Sequence, residues 1–366
     1  MKRLIALMLV IALAGIMLIG CGKEEKSASE SNGGTTKEKA AENTKAAAGG
    51  SVKEKDTLVF AWYPNESGAE LAAARDEIGK VIEKATGKKV EHKTTTDYLI
   101  AIEAMVNDNA DVAFFGAEGY VQAHRKNGKI LPLVVNSGPD GTLASAVYYS
   151  WLNVRKGDEG QYLKDGKYSI DNIVGKKFSF VSNSSTSGFR VPSSGIKAYF
   201  SKKDKYKNLT VEDLIEGGKF FSEVLYGGSH QGSAVNLLTG AVDVAAFCDV
   251  CVANYVEFAS GEENKPGAVY RVKADATEPF DKVRGAEFVP ISVTPVLNAP
   301  FVVNTGTVSE KDIAAIKAAL TSDETAKNEK IFVPKGSSFK GLFKQGERYL
   351  EVDDAWFQPI RALSEE

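Results

Sequence analysis

A run of hydroxyl side chains ending in glycine is the part of this sequence best suited to bind an anion: Ser184, Ser185, Thr186, Ser187 and Gly188. The run precedes a predicted helix, whose first backbone N–H groups have no partner within the helix. Those groups and the helix dipole favour negative charge, the hydroxyls add uncharged donors, and the glycine allows close approach of the backbone. The spacing predicts an anion-binding turn, which we call the hydroxyl turn, although a serine that only caps the helix fits equally well.

Alternating strand and helix patterns surround the hydroxyl turn and must position it. A β-prone run begins at Thr57, a helical pattern follows it, and the alternation begins again after the aromatic stretch 147–154. Strands that alternate with helices indicate α/β layers with largely parallel sheets. Two such units joined by two extended crossings predict a two-lobed, hinged fold, with lobe 1 at 57–147 and 297–366 and lobe 2 at 148–296. Ligands of open α/β sheets bind beyond the carboxyl ends of strands, which between two lobes becomes a cleft.

The N-terminus has the pattern of a bacterial lipoprotein signal. Lys2 and Arg3 precede an apolar run that is shorter than the roughly 20 residues of a membrane span. Cys21 follows Leu-Ile-Gly, which resembles the lipobox whose cysteine becomes lipidated. Residues 1–20 are therefore predicted to be a signal peptide, and lipid on Cys21 would hold the protein on the extracytoplasmic face of the cell membrane. Residues 21–56 have few large apolar side chains, which predicts a flexible tether.

Charge, motifs and cysteines limit the classes of function. The net charge of −3 disfavours a nucleic-acid partner, and the sequence has no Walker motif to indicate an ATPase. With Cys21 assigned to the lipid, Cys248 and Cys251 remain as a Cys-x-x-Cys pair, which fits a disulfide or two buried thiols. A thiol-based ligand or metal site is the alternative. The three histidines do not have zinc-site spacing, so we predict no metal and no cofactor.

The hydroxyl turn resembles the Ser-Thr-Ser-Gly motif of the phosphonate, phosphite and phosphate binding proteins of ABC transporters. Three further segments match that family in the same order: Thr96-Asp97-Tyr98, Asp111-Val112-Ala113-Phe114-Phe115-Gly116 and Gly228-Ser229-His230. The resemblance runs from about residue 58 to residue 356. It implies a type II periplasmic-binding fold, a solute-binding role without catalysis, and an ABC permease with its ATPase subunit as partners.

The same resemblance implies roles for individual residues. Ser185, Thr186 and Ser187 would hold the phosphoryl oxygens of a small phosphorus oxyanion. Tyr98 would donate its hydroxyl from lobe 1, and His230 would hydrogen-bond an oxygen from lobe 2. A satisfied core histidine is the alternative for His230, but its glycine-rich surroundings favour a place in the site.

Two departures from the family pattern bear on the ligand. Phe115 stands where binders of aminoalkylphosphonates have a tyrosine, so Phe115 and Gly116 would form a cleft wall without that hydroxyl. The sequence shows no clear pair of carboxylates for a ligand ammonium group, which is costly to bury unpaired. We therefore expect a compact ligand without an amine: phosphite, phosphate or a small alkylphosphonate. Asp249 would accept a proton from a protonated oxyanion, or would be a solvated or helix-capping acid.

Other functions would use some of the same residues. A serine hydrolase built from Ser187 and His230 would lack the Gly-x-Ser-x-Gly elbow and an acid to orient the base, so no catalytic residue is predicted. A membrane-anchored sensor would use the same cleft with a different partner. Binding of a thiophilic oxyanion such as arsenite through Cys248 and Cys251 is a further alternative. Tyr148, at a hinge crossing, is interpreted as structural.

Overall fold

The computed structural model describes residues 52–365. The predicted signal peptide at 1–20, the lipid anchor Cys21 and most of the tether at 21–56 lie outside the described residues. In chain order the strands are β1 (Thr57–Trp62), β2 (Lys89–Thr94), β3 (Val112–Phe114), β4 (Ile130–Asn136), β5 (Val147–Arg155), β6 (Leu163–Lys164), β7 (Lys167–Tyr168), β8 (Lys177–Phe180), β9 (Glu223–Tyr226), β10 (Val244–Cys248), β11 (Val256–Ser260), β12 (Val269–Val272), β13 (Glu287–Leu297), β14 (Pro300–Asn304), β15 (Phe332–Val333), β16 (Phe343–Lys344) and β17 (Tyr349–Glu351).

The α-helices follow the strands in alternation through most of the chain. In chain order they are α1 (Ala72–Thr86), α2 (Tyr98–Val106), α3 (Ala117–Lys126), α4 (Val191–Phe200), α5 (Glu212–Ile215), α6 (His230–Leu238), α7 (Asp249–Val252), α8 (Glu310–Leu320), α9 (Asp323–Ala326) and α10 (Gln358–Glu365). Within residues 52–365, no helix combines the length and the apolar character that crossing a bilayer requires.

The first large sheet has the strand order β17-β4-β14-β3-β1-β2. Strands β3, β1 and β2 run parallel, whereas β14, β4 and β17 pair antiparallel. Apolar side chains of β1 are buried on both faces: Leu58 packs with α1 and α8, and Ala61 packs with α2 and α3. Burial on both faces is expected of a central strand covered by helices. We call this sheet with its helices lobe 1.

The second large sheet has the strand order β11-β12-β13-β5-β10-β8-β9. Strands β10, β8 and β9 run parallel and the others antiparallel. Strand β8 is flanked by β10 and β9, and the sheet is covered by α4 on one face and by α6 on the other. The sheet with these helices is lobe 2, and the hydroxyl turn leaves it at the carboxyl end of β8.

The two lobes are joined by two crossings that lie side by side. The chain passes from β4 to β5 and returns from β13 to β14, and β5 pairs antiparallel with β13 so that Val147 lies opposite Leu297. The Asn298 N–H donates to the Ala146 carbonyl at 3.1 Å, which extends this pairing. The architecture agrees with the predicted α/β class with two lobes. The lobe boundaries near 147 and 297 remain our proposal.

Candidate functional site

The hydroxyl turn is wound more widely than an ordinary helical turn. The Arg190 N–H donates to the Ser185 carbonyl at 2.9 Å, a spacing of five residues, and Thr186–Arg190 forms a π-helical turn before α4. Such turns are frequent at functional sites. Ser185 Oγ accepts from the Gly188 N–H at 3.1 Å. A Cβ at Gly188 would lie 2.3 Å from Val181 Cγ2, so the turn can pack against β8 only because this residue is glycine.

His230 lies at the first position of α6 and points a ring N–H at the hydroxyl turn. Its Nδ1 accepts from the Cys248 N–H at 3.1 Å, so the proton of the neutral ring is on Nε2. Nε2 lies 3.4 Å from Ser185 Oγ. Burial lowers the pKa of His230 to about 3, which keeps the imidazole neutral near pH 7. The histidine therefore acts as an uncharged donor.

Tyr98 brings a hydroxyl to the same place from lobe 1. It begins α2, whose N-cap Asp97 accepts from the Leu99 N–H. Tyr98 Oη accepts from Asn65 Nδ2 at 2.6 Å, and Ser185 lies near enough to this hydroxyl to lower its pKa. Burial raises the pKa of Tyr98 well above its ordinary value, so the phenol keeps its proton and remains a donor.

Tyr148 is a part of the site that the sequence interpretation missed. Burial raises the pKa of Tyr148, and Ser187 and Thr186 lie near enough to its hydroxyl to oppose that shift. The aromatic stretch 147–154 gave no signal to separate Tyr148 from its neighbours. Only the course of β5, which brings the start of that strand under the hydroxyl turn, distinguishes it.

These groups are packed together where the two lobes meet and are nearly excluded from solvent. Tyr98, Ser185, Thr186, Ser187 and His230 are each 3% exposed or less. All are neutral donors near pH 7, with hydroxyls from both lobes and one imidazole N–H. Hydrogen bonds are electrostatically stronger in such a low-dielectric space than in water, so the arrangement can hold an anion without a cation beside it.

Gly116 lies where the two lobes meet, whereas Phe115 lies behind the residues that line the predicted cleft. A Cβ at Gly116 would lie 2.7 Å from Thr186 Oγ1, so this glycine permits the close contact of the two lobes. Phe115 is fully buried and stacks on Tyr63 with ring centroids 4.9 Å apart, and the Tyr63 ring lies 4.2 Å from that of Tyr98. Phe115 thus supports the wall from one layer behind.

Asp249 lies at the start of α7 and contacts the hinge. Its carboxylate accepts from the Tyr149 N–H of β5 at 2.9 Å. Burial raises the pKa of Asp249 from its ordinary value. Asp249 is near enough to Tyr148 to raise the pKa of that phenol, but the hydrogen bond to Tyr149 directs it to the strand rather than to the hydroxyl turn.

One contact between the lobes contains an ion pair and lies beside the hydroxyl turn. Arg190 Nη2 lies 3.0 Å from Glu118 Oε1, and these side chains are 18% and 2% exposed. Ser184 Oγ donates to Gln122 Oε1 at 2.9 Å. The Glu118 N–H donates to Thr186 Oγ1 at 2.9 Å. We call Glu118, Gln122, Ser184 and Arg190 the ionic contact.

A second contact between the lobes is built from neutral amides. Asn65 Oδ1 accepts from the His230 N–H at 3.1 Å, and the Asn65 carbonyl accepts from Gln231 Nε2 at 3.1 Å. We call Asn65, Gln231 and the His230 N–H the amide contact. The sequence interpretation did not identify Asn65 as a residue of this contact, because no short-range pattern reveals a partner 165 residues away.

Glu66 is a buried carboxyl group that the sequence interpretation did not single out. Its Oε2 is buried, and no described residue gives that atom a hydrogen bond. Burial raises the pKa of Glu66 to about 8, although its own N–H, Arg75 and the Asn65 side chain oppose the shift. The group is therefore largely neutral at pH 7 and supplies little counter-charge for a ligand ammonium group.

The Cys-x-x-Cys pair is a disulfide in this structure. Cys248 and Cys251 are bonded through their sulfurs, with Cα atoms 5.4 Å apart. This agrees with one of the alternatives left open by the sequence. Because both sulfurs are in the bond, no thiol is left at this position to bind a metal or arsenite.

Comparisons with known proteins identify the family to which the chain is similar. The family model described as "ABC transporter, phosphonate, periplasmic substrate-binding protein" matches residues 60–354. The phosphate-import protein PhnD of Mycolicibacterium smegmatis is 30% identical over 197 residues, which are 54% of this chain and 56% of that relative. The chain thus spans about half the length of this curated relative.

Two solved structures have the same fold. A binding protein component of an ABC phosphonate transporter from Pseudomonas aeruginosa has a TM-score of 0.61 at 20% identity, covering 85% of this chain and 86% of that one. PhnD1 from Prochlorococcus marinus in complex with methylphosphonate has a TM-score of 0.59 at 14% identity, covering 85% and 97%. The predicted type II periplasmic-binding fold is confirmed.

The family assignment rests on the family model, because the solved structures are too distant in sequence to show more than the fold. That model covers both lobes and every residue placed at the candidate site. Its members are solute-binding proteins, in agreement with the expectation that the chain is not an enzyme. This protein belongs to the family of periplasmic substrate-binding proteins of phosphonate ABC transporters.

Proposed function

We propose that this chain is the substrate-binding component of an ABC importer and captures a small phosphorus oxyanion between its lobes. The observation that carries the proposal is the burial of uncharged donors from both lobes around one turn. These donors are Tyr98, Tyr148, Ser185, Thr186, Ser187 and His230.

The donor set suits a tetrahedral oxyanion better than other ligands. Each hydrogen bond to a charged ligand contributes roughly 1.5–3 kcal/mol, so three or four of them would give micromolar binding or better after the cost of association. Arg190, the cation beside the turn, is paired with Glu118. The ligand charge would therefore be balanced by aligned dipoles rather than by an ion pair.

The ligand we propose is compact and has no amine: phosphite, phosphate or a small alkylphosphonate. Burial raises the pKa of Glu66 to about 8, so this carboxyl is a weak partner for an ammonium group at pH 7, and the Asp249 carboxylate is directed to the Tyr149 N–H of β5. The methylphosphonate bound by the Prochlorococcus relative is a ligand of this kind. Gly116 would let the lobes close, and Phe115 would support the wall.

Capture would favour the closed arrangement of the lobes, because the ligand gains its full set of donors only there. We propose that the closed form docks on an ABC permease, whose ATPase subunit then drives import. Lipid on Cys21 would hold the protein at the extracytoplasmic face of the membrane, and the tether at 21–56 would let it reach the permease.

A membrane-anchored sensor is the second candidate, since it would use the same cleft. Genes for a permease and an ATPase beside this one would favour import, whereas a neighbouring receptor kinase would favour sensing. Arsenite capture would need two free thiols, which the protein does not have while Cys248 and Cys251 are joined in a disulfide.

Calorimetric titration of the soluble domain tests the ligand class. The domain from Val52 onward, which contains both sheets in one compact unit, should be titrated with phosphite, phosphate, methylphosphonate and 2-aminoethylphosphonate. We expect binding of at least one of the first three, with 2-aminoethylphosphonate weaker. Undetectable binding of all four would reject the proposal.

A further inference from the structure

A ring of four residues, closed by the Cys248–Cys251 disulfide, lies directly behind His230. Cys248 ends β10 and is the N-cap of α7, and its sulfur accepts from the Cys251 N–H at 3.3 Å. The pairing of Cys248 with Ser150 of β5, the disulfide and this hydrogen bond together hold the main chain from 248 to 251. Because the ring is short, it adds less to global stability than a disulfide that closes a long loop.

The ring contacts the candidate site and the lobe contact through main-chain groups. The Cys248 N–H donates to His230 Nδ1 at 3.1 Å. The Cys251 carbonyl accepts from Gln231 Nε2 at 3.1 Å, and the same amide group reaches the Asn65 carbonyl of lobe 1. One closed ring thus orients both the imidazole and the amide contact.

We propose that the Cys248–Cys251 disulfide is a redox-sensitive positioning element of the oxyanion site, a role that rests on the proposed function. In the closed ring, the Cys248 N–H holds the His230 proton on Nε2, where it faces Ser185. Cys248 is also held by its pairing with Ser150 of β5. Opening the ring removes the second constraint on this strand end, so the Cys248 N–H can turn away from Nδ1 and the imidazole can rotate or carry its proton on Nδ1. Either change removes a donor from the ligand.

The ring can be opened from outside by a small dithiol. Cys251 is half-buried and its neighbour Val250 is 38% exposed, whereas Cys248 is fully buried. A thiolate of the reductant attacks Cys251 Sγ, the S–S bond breaks, and Cys248 leaves as a thiolate and takes up a proton. The second thiol of the reductant then displaces Cys251, which gives two protein thiols and one cyclic disulfide.

The test compares one protein in two redox states. The domain from Val52 onward, which lacks Cys21, is titrated with methylphosphonate before and after dithiothreitol, with a thiol assay to confirm that two thiols appear. Loss of one hydrogen bond to a charged ligand predicts affinity about tenfold to 100-fold weaker in the reduced protein, restored by reoxidation. The Cys248→Ser, Cys251→Ser variant should bind weakly and should not respond to the reductant.

A nitrogen NMR spectrum of the His230 ring gives a readout that does not depend on the ligand. We expect the Nε2–H tautomer in the oxidised protein and a mixed or altered state after reduction. If the reduced protein, with two free thiols, had the same affinity and the same His230 tautomer as the oxidised protein, the redox role of the disulfide would be rejected. The proposed function would not be affected by that result. Absence of oxyanion binding to the oxidised protein would instead reject the proposed function, and the tautomer would still decide whether the ring positions His230.

Discussion

The two contacts across the cleft close the same lobes by different chemistry. The ionic contact joins Arg190 to Glu118 and reaches the hydroxyl turn through Ser184, which donates to Gln122, and through the Glu118 N–H on Thr186 Oγ1. The amide contact is made by residues of the site itself, because the Asn65 side chain bonds both Tyr98 Oη and the His230 N–H. The lobes are therefore held by a charged pair at the edge of the turn on one side, and by neutral groups bonded directly to Tyr98 and His230 on the other.

Breaking the ionic contact should have the largest effect on affinity. Glu118→Gln leaves the Arg190 cation with a weaker partner, and loss of one member of a buried ion pair typically costs about 3–5 kcal/mol. We expect methylphosphonate affinity to fall about 100-fold or more, mainly because the closed state becomes less populated. Calorimetry together with small-angle X-ray scattering measures both quantities.

The matched control is the same change in an exposed ion pair of lobe 1. Glu103 pairs with Lys126, and the side chains are 40% and 45% exposed. Glu103→Gln should change affinity by less than about threefold, because exposed pairs contribute little. An affinity as high in Glu118→Gln as in this control would show that the ionic contact does not hold the lobes together.

Breaking the amide contact should give the next largest effect. Asn65→Ala removes the donor to Tyr98 Oη and the acceptor of the His230 N–H, and each buried group left unsatisfied costs about 1–3 kcal/mol. We expect affinity to fall about 10-fold to 100-fold while the ligand-free protein stays folded by circular dichroism. The exposed Asn107→Ala is the control, and an equal result for both variants would remove Asn65 from the site.

Removing one hydroxyl from the turn should have a smaller effect than either change. Thr186→Val keeps the shape of the side chain but loses Oγ1, which accepts from the Glu118 N–H. We expect a cost of about 1–2 kcal/mol in ligand binding, or roughly fivefold to 30-fold in affinity, measured by calorimetry. Thr239→Val on the exposed end of α6 is the control. Wild-type affinity in Thr186→Val would exclude this hydroxyl from ligand recognition.

The local patterns of the sequence predicted the elements but not their contacts. The hydroxyl turn was identified because its residue types, the strand before it and the helix after it are neighbours in the chain. The pairing of Glu118 with Arg190 spans 72 residues, and that of Asn65 with His230 spans 165, so no periodicity could reveal either. Tyr148 was missed for the same reason, since its role depends on where the start of β5 passes under the hydroxyl turn.

Replacing Glu66 with glutamine should have the smallest effect on ligand affinity. Its main effect should be on how the free energy of unfolding depends on pH. The pKa of Glu66 is raised by burial from 4.5 to about 8, so the folded state holds more protons than the unfolded state between these values. Stability from this group is present below about pH 4.5 and is lost as the pH rises to about 8. Glu66→Gln should remove that slope in thermal melts and leave affinity at pH 6 within about threefold. An unchanged slope would mean that Glu66 is ionised in the folded protein.

A crystal structure of the domain with methylphosphonate would show directly whether donors from both lobes hold the anion. We expect phosphoryl oxygens within about 3.2 Å of the Tyr98 hydroxyl of lobe 1 and of the hydroxyls of the turn in lobe 2, which are Ser185, Thr186 and Ser187. His230 Nε2 would be a further donor to the anion. A bound anion held elsewhere, with these groups still bonded only to one another, would contradict this expectation.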